Sequence, residues 1–92
     1  MRYLLVITKD PDTDYSGCFP DAPGCYAIGE SAEEVKWRAA DSLIDHLAGE
    51  PPPRPRDLQA LVTDSEAGLT DSSVVALTWV EYEPEPAAAV AA

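Results

Sequence analysis

Three aspartates at alternate positions, Asp10, Asp12 and Asp14, form the densest group of potential ligands in the chain. Their spacing is that of the opening of a calcium-binding loop. Such a loop needs Gly at its sixth position and Glu at its twelfth; here those positions hold Tyr15 and Asp21. Asp10-Pro11-Asp12-Thr13-Asp14 therefore reads as an acidic turn, in which Asp side chains bond local backbone and Pro11 stops the strand before it. His46 is the only histidine. No serine or cysteine is set with it in a recognisable triad, so it reads as a helix-surface or packing residue rather than a general base. Cys18 and Cys25 are too few for a disulfide scaffold or a complete zinc site. They would lie near opposite positions if the runs around them pair as a hairpin. That leaves a disulfide geometrically open, although two small buried thiols fit a reducing compartment better. No metal and no cofactor is expected.

The charge balance restricts the partners. Seventeen acidic residues face six basic ones in 92 residues, a formal charge of −11. Contact with a phosphate backbone needs Lys and Arg, so direct nucleic-acid binding is not expected. Acidity of this size keeps a protein soluble, and it also suits a basic protein partner, because opposite net charges speed encounter. No apolar run approaches the roughly 20 residues that span a bilayer. The opening run Tyr3-Leu4-Leu5-Val6-Ile7 is too short for a signal peptide, and no small-residue cleavage site follows it. A cytoplasmic protein without membrane contact is expected.

The elements that must carry these residues are legible in outline. Tyr3 to Thr8 is an apolar and β-branched run of strand length, and the acidic turn follows. Tyr15 to Phe19 reads as a second strand, with Tyr15, Gly17 and Phe19 on one face. The loop Phe19-Pro20-Asp21-Ala22-Pro23-Gly24-Cys25 has a narrowly defined path, since Pro locks φ and Gly admits conformations closed to other residues. Cys25 to Gly29 makes a short third strand, completing an antiparallel meander. Ser31-Ala32-Glu33-Glu34 is a capping box, with Glu34 placed to reach back to the Ser31 N–H. Ala32, Val35, Ala39, Leu43 and Leu47 then recur as one face of a helix that should end near Gly49. Trp37 lies off that face: it either anchors a partner or folds over a neighbouring loop. Glu50-Pro51-Pro52-Pro53-Arg54-Pro55-Arg56 can only be extended. Asp57 caps a short second helix, Asp64 to Asp71 is a polar loop, and Ser73 to Tyr82 is the last strand. Apolar residues on both of its faces imply cover on both sides or a strand shared with another subunit, and a homodimer is expected. The fold class is α+β: a three-stranded meander, a crossover helix and a fourth strand, in the order βββ-α-(α)-β. Residues 1–86 are expected to form one domain, and the Ala-rich residues 87–92 to fray.

This order, with Phe19, Pro20, Pro23, Gly24 and Cys25 set between strands two and three, resembles the HicB family of bacterial antitoxins. The opening strand with its acidic turn, Gly29-Glu30-Ser31-Ala32-Glu33-Glu34 ahead of the helix, the Pro-rich spacer before Asp57-Leu58 and the closing run Val74 to Val80 are similar to that family's pattern as well. The match covers most of residues 2–83. It implies a partial ribonuclease-H-like fold that inhibits a small basic HicA-type toxin, an mRNA-cleaving enzyme, by covering its active site. Many HicB proteins carry a further DNA-binding domain; no basic recognition helix follows the last strand here, so operator binding is not expected. The alternative is a HicB-like binding or regulatory module with no toxin partner. The fold analogy also raises metal-dependent nuclease chemistry, which needs several converging carboxylates. The first strand carries none and the last only Glu81, so no enzyme is expected. The partner-binding candidates are Asp10, Asp12, Asp14, Asp21, Glu30 and Trp37. The loop residues Phe19, Pro20, Pro23, Gly24 and Cys25 are expected to set the fold.

Overall fold

A strand with five consecutive apolar residues, such as Tyr3 to Ile7, must be covered on both faces. The computed structural model, which describes residues 1–49 and 51–83, places that strand inside the sheet. β1 (Arg2–Thr8), β2 (Tyr15–Cys18) and β3 (Tyr26–Gly29) form the meander, followed by helix α1 (Ala32–Leu47), helix α2 (Leu58–Thr63), a short 3-10 turn (Ser65–Ala67) and β4 (Val74–Glu81). The four strands make one sheet in the order β3-β2-β1-β4, antiparallel throughout. The α+β architecture is the one expected. The Ala-rich tail expected at 87–92 lies outside the described residues.

Alternation along β1 feeds two apolar layers. Tyr3, Leu5 and Ile7 point to the α1 side, where they meet Val35, Ala39, Leu43 and Leu47, the helix face set by the sequence period, together with Phe19, Ala27 and Val80. Leu4 and Val6 point to the other side and are covered by Leu61, Ala67 and Leu69 from the α2 region. Fully burying side chains such as Leu5, Val35 and Leu43 contributes roughly 1.5–3 kcal/mol each. α1 seats closely on β2 because Gly17 leaves room for it: a Cβ there would lie 2.7 Å from Val35 Cγ1 and 3.0 Å from Leu5 Cδ1.

β4 is an edge strand that packs on both faces of the sheet: Ala76 and Val80 lie against the α1-side core and Val74 and Trp79 against the α2 side, while Val75 and Leu77 are exposed. One local expectation is corrected. At the start of α1 the Glu34 N–H donates to Ser31 Oγ at 3.1 Å, as the capping box requires. The return bond, however, runs from the Glu30 N–H to Glu34 Oε1 at 3.2 Å, one residue earlier than expected.

Candidate partner-binding surface

The β2–β3 loop shows what its residues are for. The Ala22 N–H donates to the Phe19 carbonyl, and the Cys25 N–H to the Ala22 carbonyl, so two successive turns reverse the chain. Gly24 has φ +90°, a region closed to residues with a Cβ. Phe19, Ala22 and Cys25 are buried in the α1-side core. The loop is thus a packed corner, and Pro20, Pro23 and Gly24 line a shallow cleft of about 380 Å³ between it and the α2 region. Cys18 and Cys25 are free thiols. Their side chains belong to opposite faces of the sheet, Cys25 to the α1-side core and Cys18 to the α2 side, and burial pushes both thiols above their ordinary pKa.

Asp21 is engaged inside the molecule. Its side chain is only 7% exposed. It accepts from the Arg56 backbone N–H at 2.7 Å and from Arg56 Nε at 2.6 Å, while Arg56 Nη1 donates to Asp64 Oδ2 at 2.8 Å. Asp64 also caps the 3-10 turn by accepting from the Glu66 N–H. The guanidinium holds the Asp64 carboxyl below its ordinary range, chiefly through that hydrogen bond. This latch ties the Pro-rich spacer to the loop, and the Tyr3 hydroxyl fastens the spacer again by donating to the Pro53 carbonyl. Neither the Arg56 pairing nor the Tyr3 contact is announced by any local sequence pattern, because 35 and 50 residues separate the partners.

The other acidic candidates gather elsewhere. Tyr15 pairs with Gly29 in the β2–β3 ladder, so Asp14 and Glu30 leave the sheet side by side. Asp10 and Asp12 occupy the turn at the same end, and all four residues are exposed. The turn is closed by Thr13, whose N–H donates to the Asp10 carbonyl at 3.2 Å. Lys9 Nζ is occupied with the carbonyls of Asp10 and Thr13, 5.5 Å from the centre of the Tyr15 ring. Among the described residues no ion pair involves Asp10, Asp12, Asp14 or Glu30. Arg2 and Arg56 lie at the opposite end, beside one cleft. One end of the sheet therefore gathers exposed carboxylates around a single lysine, while Arg2 and Arg56 at the other end are matched by Glu81, Asp21 and Asp64. Trp37 does not fold over a loop: it is 68% exposed on the outer side of α1. Tyr26 and Ile28 of β3 are exposed apolar residues outside the expected contact set, and their alternation with buried Ala27 is the sequence signal for them.

Among the described residues no group of three or more His, Cys, Asp or Glu side chains is placed to hold a metal ion. None of their helices is long and apolar enough to cross a membrane. What this surface offers is a set of exposed carboxylates, free of ion pairs among the described residues, which can bind a cationic surface.

Residues 3–85 match the family model described as the HicB_like antitoxin of bacterial toxin-antitoxin systems. Among solved structures, the chain is similar to the Burkholderia pseudomallei antitoxin HicB, with a TM-score of 0.73 and 20% identity over 90% of this chain and 64% of that one. Against the N-terminal domain of the same antitoxin the TM-score is 0.69 at 19% identity, over 90% of this chain and 99% of that domain. The chain thus spans less than two thirds of the longer antitoxin chain. A chain of the HicA3 and HicB3 toxin-antitoxin complex matches at 27% identity with a TM-score of 0.67, over 91% of this chain and all of that one. No curated protein matches in sequence.

Proposed function

The chain belongs to the HicB-like antitoxin family of bacterial toxin-antitoxin systems, and on that premise we propose that it neutralises a small basic HicA-type toxin by covering its active site. It does so as a non-catalytic inhibitor in the cytoplasm, on the partial ribonuclease-H-like scaffold that the resemblance implies. The observation that carries this reading is the acidic end of the sheet. An mRNA-cleaving toxin must present cations to its RNA, and carboxylates gathered at one end of the sheet can take the places of phosphates. Asp10, Asp12, Asp14 and Glu30 form the contact set; Asp21 is left out of it because its carboxylate already serves the Arg56 latch. A toxin of this kind is named in the HicA3 and HicB3 complex, one chain of which resembles this one.

The test is co-expression with any small basic protein encoded beside this chain. The two should co-purify, and the chain should suppress both growth arrest and mRNA cleavage by the toxin. Absence of binding to any such neighbour would sink this reading and favour a regulatory module without a toxin.

A further inference from the structure

α1 closes one face of the sheet. On the other face Leu61, Ala67 and Leu69 of the α2 region cover Leu4 and Val6 of β1, but that cover stops short of β3, the outer strand on its side. The register sets Cys18 opposite Val6, Tyr26 beside Cys18 and Ile28 beside Ser16. Alternation therefore turns Tyr26 and Ile28 to this second face, while Ala27 between them is buried in the α1-side core. Among the described residues nothing covers the pair: Tyr26 is 68% exposed and Ile28 59%.

This apolar pair runs into the acidic end. Glu30 lies two residues past Ile28, and Asp14 two before Ser16, on adjacent strands. The flanks are acidic as well. Glu66 borders one cleft with Tyr26, and Asp45 borders another, together with His46. Both carboxylates are exposed, and among the described residues neither forms an ion pair. The arginines nearby are committed, Arg38 to Glu34 and Arg56 to Asp21 and Asp64. A single exposed apolar side chain needs no explanation; an aromatic and an aliphatic side by side on an open sheet face, with a rim of carboxylates, have the anatomy of an interface.

We propose that Tyr26 and Ile28 are the apolar anchor on which the basic toxin seats, an inference that rests on the toxin reading above. Exposed ion pairs contribute little to affinity, because water and salt screen them; their effect is on the rate of encounter. The lifetime of a complex is set by a few side chains that lose their water on binding, Tyr prominent among them. The acidic end supplies the first property, and the Tyr26–Ile28 pair the second. Charge decides between occupants. A second copy, with formal charge −11, meets like charge at the end and on both flanks of this patch. A cationic surface with an apolar patch beside it meets opposite charge in all three places. The complementary toxin surface is therefore apolar next to its RNA-binding cations, and one bound inhibitor covers both. Trp37 is as exposed as Tyr26 but projects from α1, on the other side of the sheet, and serves as the comparison.

Surface plasmon resonance with the toxin that co-purifies separates the two rates, for Tyr26→Thr, Ile28→Thr and Trp37→Ala, with circular dichroism as the fold check. Thr keeps the strand propensity of β3, and each substitution leaves the formal charge at −11. Tyr26→Thr should dissociate at least about 30-fold faster than the wild type and Ile28→Thr at least about fivefold faster. Their association rates, and the salt dependence of those rates, should stay within about twofold of the wild type. Trp37→Ala should change neither rate. Unaltered dissociation of both β3 variants overturns the proposal. So does a loss carried by association alone, or an effect of Trp37→Ala as large as that of Tyr26→Thr. Self-association of the chain that Tyr26→Thr abolishes, seen by sedimentation equilibrium, would give this face to a second copy and overturn it as well. A wild type that binds no basic neighbour refutes the proposed function and this inference with it; a toxin complex whose lifetime ignores Tyr26 and Ile28 refutes this inference alone.

Discussion

Adding one methyl group at Gly17 tests how closely α1 is seated on the sheet. The Cβ of Gly17→Ala would stand 2.7 Å from Val35 Cγ1 and 3.0 Å from Leu5 Cδ1, about 1 Å inside ordinary carbon contact distances. Both neighbours are completely buried, so neither has room to yield. Overpacking of this kind costs about 1–3 kcal/mol. The opposing effect is smaller: Gly17 has no positive φ, and Ala at a compatible position gains about 0.4–1 kcal/mol by restricting the unfolded chain. Sterics win, for a net loss of roughly 1–2 kcal/mol and a fall in Tm of roughly 4–16 °C in a domain of this size. Val35→Ala alone should cost about 1–3 kcal/mol, since it removes two buried methyl groups and leaves a void. In the double variant the new methyl at position 17 occupies space vacated by Cγ1. The combined loss should therefore fall short of the sum by at least about 1 kcal/mol. Urea denaturation of the four proteins closes the cycle. Additive losses, or a Gly17→Ala variant as stable as the wild type, would refute the close seating of α1 on β2.

The latch and the loop give further expectations. Arg56→Met should lower Tm at neutral pH by stripping Asp21 and Asp64 of their guanidinium partner. The folded Asp64 pKa lies below its unfolded value. Its contribution is therefore present above the unfolded carboxyl pKa and lost as pH falls through the folded one. Thermal melts against pH should show the wild-type advantage shrinking on acidification; an advantage independent of pH would argue against the ion pair. Gly24→Ala, forced to φ +90°, should cost about 1–3 kcal/mol in urea denaturation yet leave toxin affinity unchanged while folded, because the loop is a packed corner. Cys25 is buried and Cys18 half-buried, so a thiol reagent at neutral pH should label Cys18 first and Cys25 only through opening of the fold. Equal rates would mean that the corner is loose.

The sequence was most legible where a short-range pattern is also a physical constraint. The period of Val35, Ala39, Leu43 and Leu47 defined the buried face of α1, and Ser31 and Asp57 marked both helix starts. The Pro-Gly loop marked the corner between β2 and β3, and the boundaries differ only by a residue or two. The role of β4 was not legible, because an apolar run does not say whether its strand lies inside a sheet or at its edge. That depends on which strands pair, and pairing is decided by packing between residues far apart in the chain. The same limit applies to Asp21. Its place in a turn gives it the same local signature as the other aspartates, and only the distant Arg56 sets it apart. Asp10, Asp12, Asp14 and Glu30 came together as a group because the β2–β3 register sets the two turns side by side.

Recognition of a basic toxin by the acidic end is open to a kinetic test. The association rate with the toxin that co-purifies should be measured as a function of ionic strength, for the wild type and for a variant with Asp10, Asp12 and Asp14 all changed to Lys. Each substitution removes one negative charge and adds one positive, so the formal charge moves from −11 to about −5. The wild-type rate should fall steeply with salt, and the variant should associate about 10- to 1,000-fold more slowly at low salt, with a flattened salt dependence. Equal rates and equal salt slopes for the two proteins would mean that the acidic end takes no part in recognition.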